Sequence, residues 1–162
     1  MCVMMIVLSF HEGFAQKEKY HSIFIYNFSK YVKWPDDQSS GKFIIGVMGT
    51  SAIQNELKGM AAAKQVNGMA IEVKQCNNVA DIKGCHILYI SASESGKLDQ
   101  VVNQTQAQSV LIVTDKPGLA KQGAAINFVE VDGKIKFELN QGNAESHRLK
   151  VSGSLTSLAI IV

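Results

Sequence analysis

The sequence is poor in the features that announce a function. Its 162 residues hold 2 Pro, 1 Trp and 3 Cys, and Arg148 is the lone arginine among its basic residues. With 46% hydrophobic and 19% charged residues, the chain is neither disordered nor collagen-like. So few cysteines exclude a disulfide-dense miniprotein. A net charge of +2 with no basic stripe gives no footprint for nucleic acid. No G-x-S-x-G elbow, H-E-x-x-H, P-loop or G-x-G-x-x-G occurs. His21, His86 and His147 are scattered along the chain and read as surface or satisfied core groups. No enzyme, metal site or cofactor is therefore expected. The length fits one domain.

What is present begins at the amino end. Cys2 to Phe10 is an apolar run of signal-peptide length, far short of the roughly 20 residues that span a membrane. Gly13-Phe14-Ala15 is a small-x-small tripeptide that fits a signal peptidase site, with the cut between Ala15 and Gln16. No Lys or Arg precedes Lys17, a departure that an upstream start codon would explain. The alternative is a buried amino-terminal strand or helix. The expected division is a signal peptide over residues 1–15 and one α/β domain over 16–162. Loss of Cys2 leaves Cys76 and Cys85, an even number for an oxidising compartment. A disulfide between them would stabilise by roughly 2–3 kcal/mol on the chain-entropy model. Two buried thiols fit the sequence as well, whereas zinc-ligand spacing is missing. A soluble periplasmic protein that does not itself span the membrane is the expectation.

Apolar periodicity sets the elements. Glu18 to Trp34 reads as a helix with a stripe of Tyr20, Ile23, Phe24, Phe28 and Tyr31, stopped by Pro35. Strands are expected over 42–48, 70–74, 85–91 and 109–114, the first and third followed by helices capped by Thr50 or Ser51 and by Ser93. Two alternating runs, 125–131 and 134–140, flank Asp132-Gly133, a strong hairpin signal. Glu130, Asp132, Lys134, Lys136 and Glu138 form its solvated face. The tail, 143–162, reads as one helix or two broken near Gly153, with Leu149, Leu155, Leu158 and Ile161 inward. The fold class is thus α/β: a mixed sheet, mostly parallel, with an antiparallel hairpin in the carboxyl-terminal part and helices on both faces.

Open α/β sheets bind ligands beyond the carboxyl ends of their strands. Two loops are placed there: Gly49-Thr50-Ser51, whose free N–H groups could hold an anion, and Thr114 to Gly118, with Asp115. Arg148 is the natural bidentate partner for a carboxylate or phosphate. Each is explained equally well as a cap, a turn or a surface residue. A periplasmic small-molecule binding module is the alternative function that these loops support. The aromatic first helix could also carry apolar surface beyond what one core needs, which makes a homodimer a further expectation.

The ordered set Tyr26-Asn-Phe-Ser-Lys-Tyr-Val-Lys-Trp-Pro35, Cys85-His-Ile-Leu-Tyr-Ile-Ser91, Val110-Leu-Ile-Val-Thr-Asp115, Gly123-Ala-Ala-Ile-Asn-Phe128, Lys136-Phe-Glu-Leu-Asn140 and Leu149-Lys-Val-Ser152 resembles the YfiR family of small periplasmic proteins. The resemblance implies regulation: binding the periplasmic sensor part of an inner-membrane diguanylate cyclase and holding it inactive, which lowers cyclic di-GMP and biofilm formation. A sensor kinase is the other partner that it implies. It also implies a redox role for cysteine pairs, for which only Cys76 and Cys85 are available. His147-Arg148 departs from the small residue expected before Leu149, so no ligand site is carried over there.

Overall fold

A computed structural model describes residues 9–36, 41–50 and 52–162. Helix α1 (Ser9–Tyr31) leads into β1 (Val32–Lys33) and β2 (Phe43–Met48). Then come α2 (Ile53–Ala63), β3 (Gln65–Val66), β4 (Met69–Cys76), β5 (Ile87–Ile90), α3 (Leu98–Thr105), β6 (Leu111–Thr114), β7 (Ile126–Val131) and β8 (Lys134–Leu139). The tail holds α4 (Gln141–Ser146), β9 (Lys150–Val151), α5 (Gly153–Leu158) and β10 (Ile160–Ile161). Short 3-10 turns stand at Val79–Ile82, Ala92–Lys97 and Leu119–Gln122.

The expected α/β class holds. One eight-stranded sheet runs β10-β8-β7-β6-β5-β2-β4-β3. From β4 through β2, β5 and β6 to β7 every pairing is parallel. These strands are short and apolar because both faces are covered: β5 and β6 are buried at every position. Numbered along the chain, the parallel strands lie in the order 2-1-3-4-5, which puts the topological switch point between β2 and β5. One core layer joins α1 and α2 to the sheet through Ile25, Phe28, Ile45, Ile53, Leu57 and Phe128. The other joins α3 and the 3-10 turns through Ile82, Leu88, Ile90, Leu98, Val101 and Leu119.

The hairpin forms as read. β7 and β8 pair antiparallel from Ile126↔Leu139 to Val131↔Lys134. Asp132 and Gly133 both take positive φ, 52° and 71°, the geometry of a type I′ turn. Asn67 (φ 49°) and Gly68 (φ 80°) make a second turn of this kind between β3 and β4, in addition to the expected hairpin.

Three expectations need correction. The buried stripe of α1 is Glu18, His21, Ser22, Ile25, Phe28 and Ser29, whereas Tyr20, Ile23 and Tyr31 are exposed. The helix is rotated so that its small residues meet the sheet. Ser22 and Ser29 return their hydroxyls to the carbonyls of Lys19 (2.8 Å) and Tyr26 (2.6 Å), so burying them leaves no orphaned donor. Secondly, α1 ends at Tyr31 rather than Trp34, because Val32 and Lys33 pair antiparallel with Val151 and Lys150 of β9. Thirdly, the tail alternates two short helices with two short strands, and Leu158 and Ile161 are exposed while Leu149 and Leu155 are buried.

The caps also differ. Ala52, with no side-chain bond, precedes α2 in place of Thr50. Ser91 rather than Ser93 heads the 3-10 turn before α3, again without a capping bond.

Candidate functional site

Cys76 closes β4 opposite Met48 of β2, and Cys85 precedes β5. Both are buried free thiols. They converge over Gly46 on the strand between them: a Cβ at position 46 would lie 2.7 Å from Cys85 Sγ and 2.9 Å from Cys76 Sγ. An isolated glycine inside an apolar strand marks such a close approach. The sulfurs hydrogen-bond each other, which lowers the Cys76 thiol below its usual range; the same bond, together with burial, raises Cys85. Cys76 Sγ also donates to the Asp81 carbonyl (3.7 Å). The loop joining them, 77–84, is held by a capping box in which Asn78 accepts from Ala80 N (3.0 Å) and Asp81 from Asn78 N (3.1 Å).

The crevice at the switch point is closed. Gly49 ends β2 with φ 98°, and a Cβ there would stand 2.1 Å from Ser91 Oγ and 2.8 Å from Glu94 Cγ. Ser91 Oγ in turn meets Ser93 Oγ at 2.9 Å, and Glu94 pairs with Lys97. Thr50 is exposed, and Ser51 lies outside the described residues. Asp115 stands at the end of β6 and accepts from Tyr89 Oη at 2.7 Å through Oδ2, while its Oδ1 is buried without a partner. Arg148 is elsewhere. It sits at φ 60° before β9 and donates to the carbonyl of Ala107 (3.1 Å), between α3 and β6 at the amino ends of the strands. Gly49 and Asp115 thus share the carboxyl end of the sheet, and Arg148 does not join them.

His21, His86 and His147 occupy three separate places. His86 Nδ1 accepts from Ile44 N (3.0 Å). His147 bonds Thr105 Oγ1 through Nε2 (3.1 Å) and the Asn143 carbonyl through Nδ1 (3.0 Å). His21 stacks on Phe128, with ring centroids 3.9 Å apart and planes 6° from parallel. Its exposure is 1% and its Nδ1 has no hydrogen-bond partner. Burial, and secondarily Lys17, depress its pKa to about 3. This polar member of the α1 core was not legible from periodicity, which counts histidine as neither clearly apolar nor charged. No group of three or more metal-ligating side chains converges among the described residues.

The profile of the YfiR/HmsC-like family matches residues 18–160 of this chain. Among solved structures, a conserved domain protein from Vibrio cholerae O1 biovar El Tor superposes with a TM-score of 0.56 at 14% identity. The alignment covers 89% of this chain and 59% of that protein, so the similarity is one of fold with part of a longer molecule. No curated protein sequence matches.

Proposed function

Because the chain belongs to the YfiR/HmsC-like family, a family of periplasmic regulators rather than catalysts, we propose that it binds and inhibits the periplasmic sensor part of an inner-membrane diguanylate cyclase. The observation that carries this reading is the extent of the family match, which takes in every element from the middle of α1 to β10. No helix among the described residues is long and apolar enough to cross a membrane. The match starts three residues beyond the expected cut after Ala15, in keeping with a leader that precedes the regulatory domain.

Inhibition by docking requires differential affinity. Moving a sensor from 1:99 to 99:1 in favour of its inactive state takes about 5.5 kcal/mol. The Cys76–Cys85 pair supplies a means of control: oxidation would tie the end of β4 to the start of β5, and reduction would release it. Deleting the gene is expected to raise cellular cyclic di-GMP. Membranes probed with the tagged chain should yield a protein joining a periplasmic sensor to a cyclase. Unchanged cyclic di-GMP in the deletion strain, or a captured kinase in place of a cyclase, would defeat the cyclase assignment.

A second reading has one observation in its favour. A cavity of about 630 Å³ lies between the first half of α1 and the β7–β8 hairpin, lined by Gly13, Lys17, Tyr20, Phe24, Glu130 and Lys134 among others, of which Gly13 belongs to the expected leader. That is the size of a small-molecule site. Under this reading the protein is a periplasmic binding module. A metabolite at 100 times its Kd would add about 2.7 kcal/mol to stability, which a thermal-shift screen detects.

A further inference from the structure

Three sulfur-bearing side chains share one buried cluster. Cys76 at the end of β4, Cys85 before β5 and Met48 at the end of β2 all belong to it, with Leu88 and Ile90 around them. Met48 is the register partner of Cys76, and Gly46, two residues before Met48, lies on the same face of β2. The bare Cα at 46 leaves room that both thiols occupy, since a methyl there would press on Cys85 Sγ and Cys76 Sγ alike. The two thiols are in hydrogen-bond contact with each other. Among the described residues no third His, Cys, Asp or Glu side chain converges with the pair.

That donor set selects its metal. Structural zinc takes four ligands, which two thiols and a thioether do not supply. Magnesium and calcium take oxygen. Soft sulfur donors in low number suit Cu(I). On binding, each thiol gives up its proton, and two thiolates around one monovalent cation leave a single net negative charge. A buried charge needs a partner, and Lys74 supplies one. It lies two residues before Cys76 on the same face of β4, and its ammonium acts electrostatically on both sulfurs. The sulfurs are buried but not remote. The 77–84 loop reaches Cys76 Sγ through the Asp81 carbonyl and accepts from Lys74 Nζ through the Lys83 carbonyl (3.1 Å). Asn77, Asn78, Ala80, Lys83 and Gly84 of that loop are exposed, which makes it the short way in.

We propose that the reduced Cys76–Cys85 pair binds one Cu(I) ion, with Met48 as a third sulfur donor. The same sulfurs cannot hold the ion and form a disulfide, so the metal-bound and oxidised states exclude each other. The proposal concerns this sulfur cluster and not the identity of any regulated enzyme. Its failure would leave the cyclic di-GMP experiment unaffected.

The test is a Cu(I) titration of the purified, fully reduced chain without oxygen, against bicinchoninate as competitor. Mass spectrometry of the first residue accounts for Cys2. One ion per chain should be retained, X-ray absorption should show sulfur neighbours only, and Zn(II) should not be retained. Cys76→Ser and Cys85→Ser should each weaken retention by more than about a hundredfold. Met48→Leu keeps the core volume and should cost about tenfold through the lost thioether. The serine variants disturb the core, so Lys74→Met, which alters no ligand and lies half-buried at the sheet surface, keeps the test independent of folding; it should cost about tenfold. Circular dichroism checks the fold of each. No ion retained by the reduced parent, retention undiminished in either serine variant, or nitrogen and oxygen neighbours in the absorption spectrum would overturn the proposal.

Discussion

Acid should destabilise this protein through one side chain. His21 is buried in the interface between α1 and the sheet, stacked on Phe128 and near Tyr89. Glu18 precedes it by one turn on the same buried stripe, and Lys17 adds a repulsive charge. Its pKa falls from 6.5 to about 3 in the folded state. Between those values the unfolded chain binds a proton at this site and the folded chain does not, so stability declines as pH falls through 6.5 and levels off near 3. At 1.36 kcal/mol per pH unit, the loss between pH 7 and pH 5 is about 2 kcal/mol, and the full span is worth about 5 kcal/mol. Phenylalanine at 21 keeps a ring against Phe128 and removes the proton. Urea unfolding at a series of pH values should show the parent losing about 2 kcal/mol more than His21→Phe between pH 7 and pH 5. Other titrating groups cancel in that difference. Parallel profiles for the two proteins would refute the burial argument.

Three further outcomes follow from the packing around β2. Gly46→Ala should cost about 1–3 kcal/mol, measured by chemical denaturation, because its methyl would enter the space held by both sulfurs. Gly49→Ala combines a left-handed backbone with a methyl aimed at Ser91 Oγ. It should lose at least about 2 kcal/mol, and a double-mutant cycle with Ser91→Gly should recover the part due to Ser91, leaving the backbone cost and the contact with Glu94. Cys76→Ser should lower Tm relative to the parent under oxidising conditions and not under reducing ones, by an amount equivalent to roughly 2–3 kcal/mol; identical melting of the variant and the oxidised parent would remove the disulfide.

The parallel core and the β7–β8 hairpin were legible because each element carries its own signal: continuous apolar runs for strands covered on both faces, and Asp132-Gly133 for the turn. Asn67-Gly68 was equally explicit, but the strand before it, Gln65–Val66, is two residues long and has no period. The tail was misread for a related reason. Two-residue strands such as β9 and β10 have no period, and their existence depends on partners in β1 and β8, more than a hundred and about twenty residues earlier. The face of α1 was misassigned because periodicity ranks residues by hydrophobicity, whereas the sheet selected residues that allow close approach, Ser22 and Ser29 among them. At the candidate site, Cys76 and Cys85 lie nine positions apart in sequence, which says nothing about their distance in space. The informative residue was Gly46 on a third segment, a gap in an otherwise bulky strand.

The pairing of β1 with β9 sets an order of assembly. Ile25 and Phe28 have their place against Phe128 and Phe137, and the exit of the leading helix is fastened by Val151 and Ser152. In a chain that forms amino end first, the opening helix therefore meets β2 and α2 early, while its exit waits more than a hundred residues for the strand that fastens it. The last step of closure is one of long-range, slow contacts.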